Sequence, residues 1–230
     1  MGSLIKLETN PDLVERVYSA LLDAISEGTL APGSRITQEE IAEQLAVSRQ
    51  PVLQALRLLK KEGFVQDAPG RGVLVAPLNA QWFEDVYTVR ASLDALAARL
   101  AADRVKKGFP FALNADLINR GKAAAKKQQI DKLIGLDIEF HSAIYRASGN
   151  PLIEKSAALH WQHIKRAMGA VLQSNTVRET VWQEHEAIAD AIAQGDARKA
   201  ETLMRGHGEK ASYNLVLQIN SLLLSQGDHS

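Results

Sequence analysis

Asp137 and His141 stand four residues apart in IDKLIGLDIEFHSAIYRASGN, residues 130–150. On a helix that spacing puts both side chains on one face, with Cβ atoms about 5–6 Å apart, which suits joint coordination of one metal ion. Leu133, Ile134, Phe140 and Ile144 make the same helix largely apolar, so both polar residues are expected to point into a core. His185, in EHEAIADAIAQGD, and His207, in LMRGHGEKA, sit on the helices flanking a Gly195-Asp196 turn. Antiparallel packing of those helices would bring the two imidazoles together opposite the Asp137 helix. One carboxylate and three imidazoles suit Zn or Ni, and also accept Mn or Fe. The competing reading keeps all four as hydrogen-bonded core residues with no ion between them. His160, His163 and His229 have no comparable spacing and read as surface or structural.

A different chemistry is written into Ile41–Leu59, IAEQLAVSRQPVLQALRLL. It reads as two short helices joined by a tight turn. The second opens at Ser48-Arg49-Gln50-Pro51, a polar tip whose free N–H groups suit a phosphate. Arg49, Leu53, Arg57 and Lys60 form one stripe opposite apolar Val52, Ala55, Leu56 and Leu59, and no acid lies between Ser48 and Lys61. Arg49 and Gln50 are placed to reach base edges, Arg matching guanine and Gln matching adenine, with Gln54 one turn further on. Gly70-Arg71-Gly72 offers a cation on a glycine-rich tip for a minor groove or a phosphate, and Arg35 is a candidate contact to the DNA backbone. Residues 1–77 hold eight Lys/Arg against ten Asp/Glu, so affinity for DNA must come from this local arrangement. Otherwise these are solvated basic residues on a module that contacts protein.

The elements that must position these groups are well punctuated. Leu13, Val17, Leu21 and Ile25, with Val14, Tyr18 and Leu22 beside them, predict an amphipathic helix ended by Gly28. Leu30-Ala31-Pro32-Gly33-Ser34-Arg35 reads as a turn. Thr37 and Glu40 have capping-box spacing before an inner face of Ile41, Ala42 and Leu45, and Ser48 is a suitable N-cap for the next helix. After Gly63 the period changes, and Phe64-Val65 and Val73-Leu74-Val75 predict a hairpin with its glycine-rich tip at 68–72. Helix, helix, helix, hairpin is a winged helix-turn-helix. From residue 80 onward only helices are predicted, near 80–107, 113–128, 130–147, 151–173, 177–194 and 196–225. Gly149-Asn150-Pro151 and Gly195-Asp196 mark stops and starts. The expected fold is therefore mainly α: a tail over 1–10, a DNA-binding winged helix with a β-hairpin wing over 11–77, and an all-helical bundle over 78–230.

The whole pattern resembles a known family. LAPGSRITQEEIAEQLAVSRQPVLQAL is similar to the N-terminal domain of GntR-type bacterial transcription regulators. VRASLDALAARLAA, DIEFHSAIYRASGNP, EHEAIADAIAQGD and the late His207 resemble the ligand-binding FCD domain of the FadR subfamily. The resemblance implies a homodimer on a near-palindromic double-stranded operator, responding to a ligand in the helical domain. It implies that Asp137, His141, His185 and His207 hold a divalent metal, and that Arg90 helps bind a small carboxylate effector. Arg90 also has an ordinary reading, an ion pair with Asp94 at i+4. Relatives often read SRTPVREAL, and the DNA-contacting arginine of VREAL is Leu53 here, with Gln54 in place of Glu; a leucine suits a thymine methyl. Asp94 stands where many relatives carry Glu.

Composition sets the outer limits. Lys+Arg and Asp+Glu both number 27 in 230 residues, so net charge gives no pointer to nucleic acid. Cys is absent, which excludes disulfides and thiolate metal sites. No run approaches the roughly 18 apolar residues of a membrane span, and the N-terminus has no apolar signal core, so a cytoplasmic, membrane-free location is expected. No nucleophile motif and no dedicated general base accompany the Asp/His set, so an enzyme is not expected. The alternatives are a metal-free regulator taking a larger acyl-type effector and a metal-dependent hydrolase.

Overall fold

The computed structural model describes residues 11–111, 113, 115–171 and 179–227. The expected tail over 1–10, His229 and the predicted helix ends at 172–173 and 177–178 lie outside the described residues. The chain divides into two compact units, Met1–Pro77 and Leu78–Ser230.

In the first unit, α1 (Pro11–Ser26) buries Val17, Leu21, Leu22 and Ile25 on one stripe. α2 (Gln38–Gln44) starts at a complete capping box: the Thr37 hydroxyl accepts from the Glu40 N–H, and the Glu40 carboxylate accepts from the Thr37 N–H at 2.9 Å. An N-cap of this kind contributes about 1 kcal/mol. Leu45, expected on the inner face, is 37% exposed. α2 has already ended there, and Ala46 at φ 51° turns the chain away. α3 (Arg49–Lys61) buries Val52, Ala55, Leu56 and Leu59 and packs on both α1 and α2. Ser48 sits at the N-cap of α3 with extended backbone, but its hydroxyl makes no capping bond. One of the two N–H groups such a hydroxyl normally receives, that of the third helical residue, is missing because that residue is Pro51.

The wing has three strands. β1 (Arg35–Ile36), β2 (Val65–Asp67) and β3 (Val73–Val75) form an antiparallel sheet in the order β1-β3-β2, with Val65 opposite Val75 and Ile36 opposite Val73. β1 falls where the sequence reads as a turn, because two residues are too few to show a period. Gly72 lets it approach: at φ +88°, a Cβ there would lie 2.4 Å from the Ile36 carbonyl oxygen.

The second unit contains α4 (Ala80–Lys106), α5 (Ala115–Lys126), α6 (Ile130–Ser148), α7 (Pro151–Val171), α8 (Glu179–Ala193) and α9 (Ala197–Gly227), with no strand among its described residues. Asn79 caps α4 by accepting from the Trp82 N–H at 3.0 Å. Gly149 ends α6 at φ 72°, Asn150 accepts from the Leu152 N–H at 3.1 Å, and Asp196 accepts from the Lys199 N–H at 3.0 Å. α4 is the hub, packing against α6, α7, α8 and most extensively α9. Its buried Ala95, Ala97, Ala98, Ala101 and Ala102 are small enough to permit that closeness. Among the described residues no helix is long and apolar enough to cross a membrane.

Candidate functional site

α6 presents Asp137 and His141 one turn apart, α8 presents His185, and α9 presents His207. One ligand atom from each of the four lies within 4.8 Å of the others. His185 Nε2 is 3.3 Å from His207 Nε2 and 3.3 Å from Asp137 Oδ1. All three imidazoles are buried and Asp137 is half-buried.

Each imidazole is oriented by a different device. His185 stacks on Phe140 at 4.0 Å and 19° and meets the Trp182 ring edge-on at 4.8 Å. His207 Nδ1 lies 2.9 Å from Glu184 Oε2, whose other oxygen accepts from Lys210 Nζ at 2.7 Å. His141 Nδ1 comes within 3.4 Å of Asp94 Oδ2 without the alignment of a hydrogen bond. Asp94 itself accepts from the Tyr145 hydroxyl and pairs with Arg90 Nε at 3.3 Å. Arg90 is buried, with its guanidinium 3.7 Å above the Trp161 ring. The i, i+4 pair expected of Arg90 and Asp94 therefore forms, inside the core.

The charges follow from burial and neighbours. Burial pushes His141 down, against the pull of Asp94, and pushes His185 well below the usual histidine range, so both are neutral and offer lone pairs. Burial alone would raise Asp94, but the Arg90 charge and then His141 hold its carboxyl well below the usual range. Burial likewise opposes ionisation of Glu184, and the hydrogen bonds from His207 and Lys210 overcome it. Tyr87, facing Arg90, is pushed up to about 12 by burial and stays a neutral phenol.

The four residues fit a divalent cation. His141 Nε2 is buried with no hydrogen-bond partner, a state that costs about 1–3 kcal/mol unless something satisfies it. Tetrahedral bonds of about 2.0–2.1 Å place ligand atoms about 3.3 Å apart, the separation seen at His185. Three imidazole nitrogens and one carboxylate oxygen are donors that several divalent transition metals accept.

In the first unit the structure places Ser48, at the N-cap of α3, and Arg49, Gln50, Gln54 and Arg57, on α3, in the open, with Leu53 half-buried beside them. Arg49 pairs with Glu39 at 3.1 Å and Lys60 with Asp67 at 2.6 Å. Exposed pairs of this kind are worth about 0–1 kcal/mol, so they hold these cations only weakly. Arg71 is exposed at the wing tip between Gly70 and Gly72. Arg35 is turned toward the wing, its Nε donating to the Arg71 carbonyl at 2.8 Å. Glu184, Tyr145 and Trp161 do not stand out in the sequence. Their partners lie on other helices, and only the adjacency of Glu184 to His185 gives any signal.

Comparison with known proteins places this architecture. The model of the gntR family of bacterial regulatory proteins matches residues 13–75, and that of the FCD domain matches residues 85–210. An HTH-type transcriptional regulator in an unstable DNA locus of Streptomyces ambofaciens is 32% identical over 196 residues, 83% of this chain and 80% of its own. The HTH-type transcriptional regulator YdhC of Bacillus subtilis is 25% identical over 207 residues, 88% of this chain and 90% of its own. The solved structure of E. coli McbR/YncC shares the fold, with a TM-score of 0.75 at 21% identity over 90% of this chain and 98% of that one. With both domain models matched in order, the chain belongs to the gntR family of bacterial regulatory proteins, as a transcriptional regulator that carries an FCD domain.

Proposed function

We propose that this regulator is a cytoplasmic homodimer that binds a near-palindromic operator through two winged helices. A small organic acid, bound at a divalent metal in the helical domain, modulates that binding. The observation that carries the reading is the buried meeting of one carboxylate and three imidazoles close to an ionised arginine. Asp137, His141, His185 and His207 would hold the metal, and a carboxylate group would be taken by expansion of its coordination beyond these four donors. Arg90 supplies the second grip. It is already desolvated, stacked on Trp161 and ion-paired with Asp94 through Nε. Phe140, Trp161 and Trp182 line the imidazoles with apolar rings that exclude water and strengthen these contacts.

On the DNA side, Arg49, Gln50 and Gln54 would read base edges. Arg57, the Ser48 hydroxyl and the open N–H groups of Arg49 and Gln50 would take phosphates. Arg35 braces the wing that carries Gly70, Arg71 and Gly72. Half-site spacing on the operator is fixed, so any change in the separation of the two winged helices lowers affinity. A coupling of about 1.4 kcal/mol suffices for a tenfold change. The test measures binding of the metal-loaded protein to a fragment it selects from random DNA, while small carboxylic acids are titrated in. An acid that raises the melting temperature is expected to shift DNA affinity at least severalfold. An acid that stabilises the protein and leaves DNA affinity unchanged contradicts the reading.

A further inference from the structure

Glu184 lies outside the four-residue donor set, yet it is bonded to one of its members. Its Oε2 is 2.9 Å from His207 Nδ1, and its Oε1 accepts from Lys210 Nζ at 2.7 Å. Both residues, with His207 and Tyr213, border a surface cleft of about 320 Å³ between α8 and α9. A continuous path of hydrogen bonds thus runs from the exposed Lys210 ammonium to the most accessible of the three imidazoles.

We propose that Glu184 is a positioning residue of the metal centre, holding His207 as the Nδ1–H tautomer so that Nε2 presents a lone pair to the space shared with Asp137, His141 and His185. The inference rests on the metal reading of those four residues. A carboxylate fixed beside an ammonium only accepts hydrogen bonds, so the proton must sit on His207 Nδ1. In the neutral ring Nε2, on the far side, is then free of a proton, and it lies 3.3 Å from His185 Nε2. The same bond stops the ring's rotation. The other two imidazoles are held differently: His185 by its stack on Phe140, with Nδ1 unpartnered, and His141 by a close but misaligned approach to Asp94. Carboxylate partners of metal-binding histidines typically change metal affinity by about 10–100-fold.

The test uses the full chain stripped of metal, as wild type, E184A and E184Q. Zinc affinity is read by competition with a chromogenic chelator, the His207 tautomer by long-range ¹H–¹⁵N NMR, and folding by circular dichroism. E184A is expected to bind zinc about 10–100-fold more weakly and to release His207 into a mixture of tautomers. E184Q keeps an acceptor for Nδ1–H but loses the charge, so it should retain the tautomer and fall between the two in affinity. It also carries the test if E184A does not fold, and zinc affinity equal to wild type in E184Q would then overturn the proposal. A folded E184A that binds zinc as tightly as wild type, or keeps the Nδ1–H tautomer, overturns the positioning role alone. A wild type that takes up no zinc overturns the metal reading itself.

Discussion

His141 and His185 are neutral because burial strips water from them, and that sets a pH dependence. Above the ordinary histidine value of 6.5 both folded and unfolded chains carry them uncharged, and they contribute nothing to stability. Below it, the unfolded chain takes up protons that the folded core refuses, so stability falls as pH drops, by up to about 1.4 kcal/mol per unit for each histidine. Asp94 and Glu184 are shifted down from carboxylate values and lose their contribution only at more acidic pH, so they do not mask the effect. The urea midpoint of metal-free protein is therefore expected to be lower at pH 5.5 than at pH 7.5, and an unchanged or higher midpoint contradicts this. Asp137 and His141 are legible as a pair because helical spacing alone puts them together. The groups that orient the imidazoles are not. Glu184 meets His207 across 23 residues, and Tyr145 meets Asp94 across 51, through packing that no local period records.

Helices carry this site, and their separation is set by residues with no chemistry of their own. Gly121 on α5 faces Trp182 on α8, where a Cβ would stand 2.1 Å from the indole ring. Trp182 in turn meets His185 edge-on. G121A must displace a buried indole, so it is expected to cost about 1–3 kcal/mol and to change tryptophan emission. Chemical denaturation followed by fluorescence checks this, and wild-type stability with an unchanged spectrum contradicts it. In the sequence Gly121 is merely a glycine within a helical run, because the tryptophan that requires it lies 61 residues on. Helix ends are easier to read. Thr37–Glu40, Gly149-Asn150 and Gly195-Asp196 are local signals, and each closes or opens its helix as chain chemistry dictates. β1 and the exposed Leu45 escape such a reading because a two-residue strand has no period and a helix ending a residue early has no marker.

At the scale of the molecule, a chain of zero net charge relies on local placement for any hold on DNA. Removing Arg49 and Arg71 together, as R49A/R71A, is expected to weaken specific DNA binding and to lower the salt-dependence slope by about 1 for each phosphate no longer neutralised. Unchanged affinity contradicts the assigned surface. The order of winged helix and helical bundle is readable because a hairpin period interrupts the helices only at 64–75. The most direct test of the whole account is the metal content, by mass spectrometry, of protein purified without chelator or metal resin, beside D137A/H141A. About one equivalent of divalent metal is expected in the wild type and none in the variant. Absence of metal from both, even after incubation with zinc, nickel and manganese, would contradict this and reduce the four residues to polar members of the core.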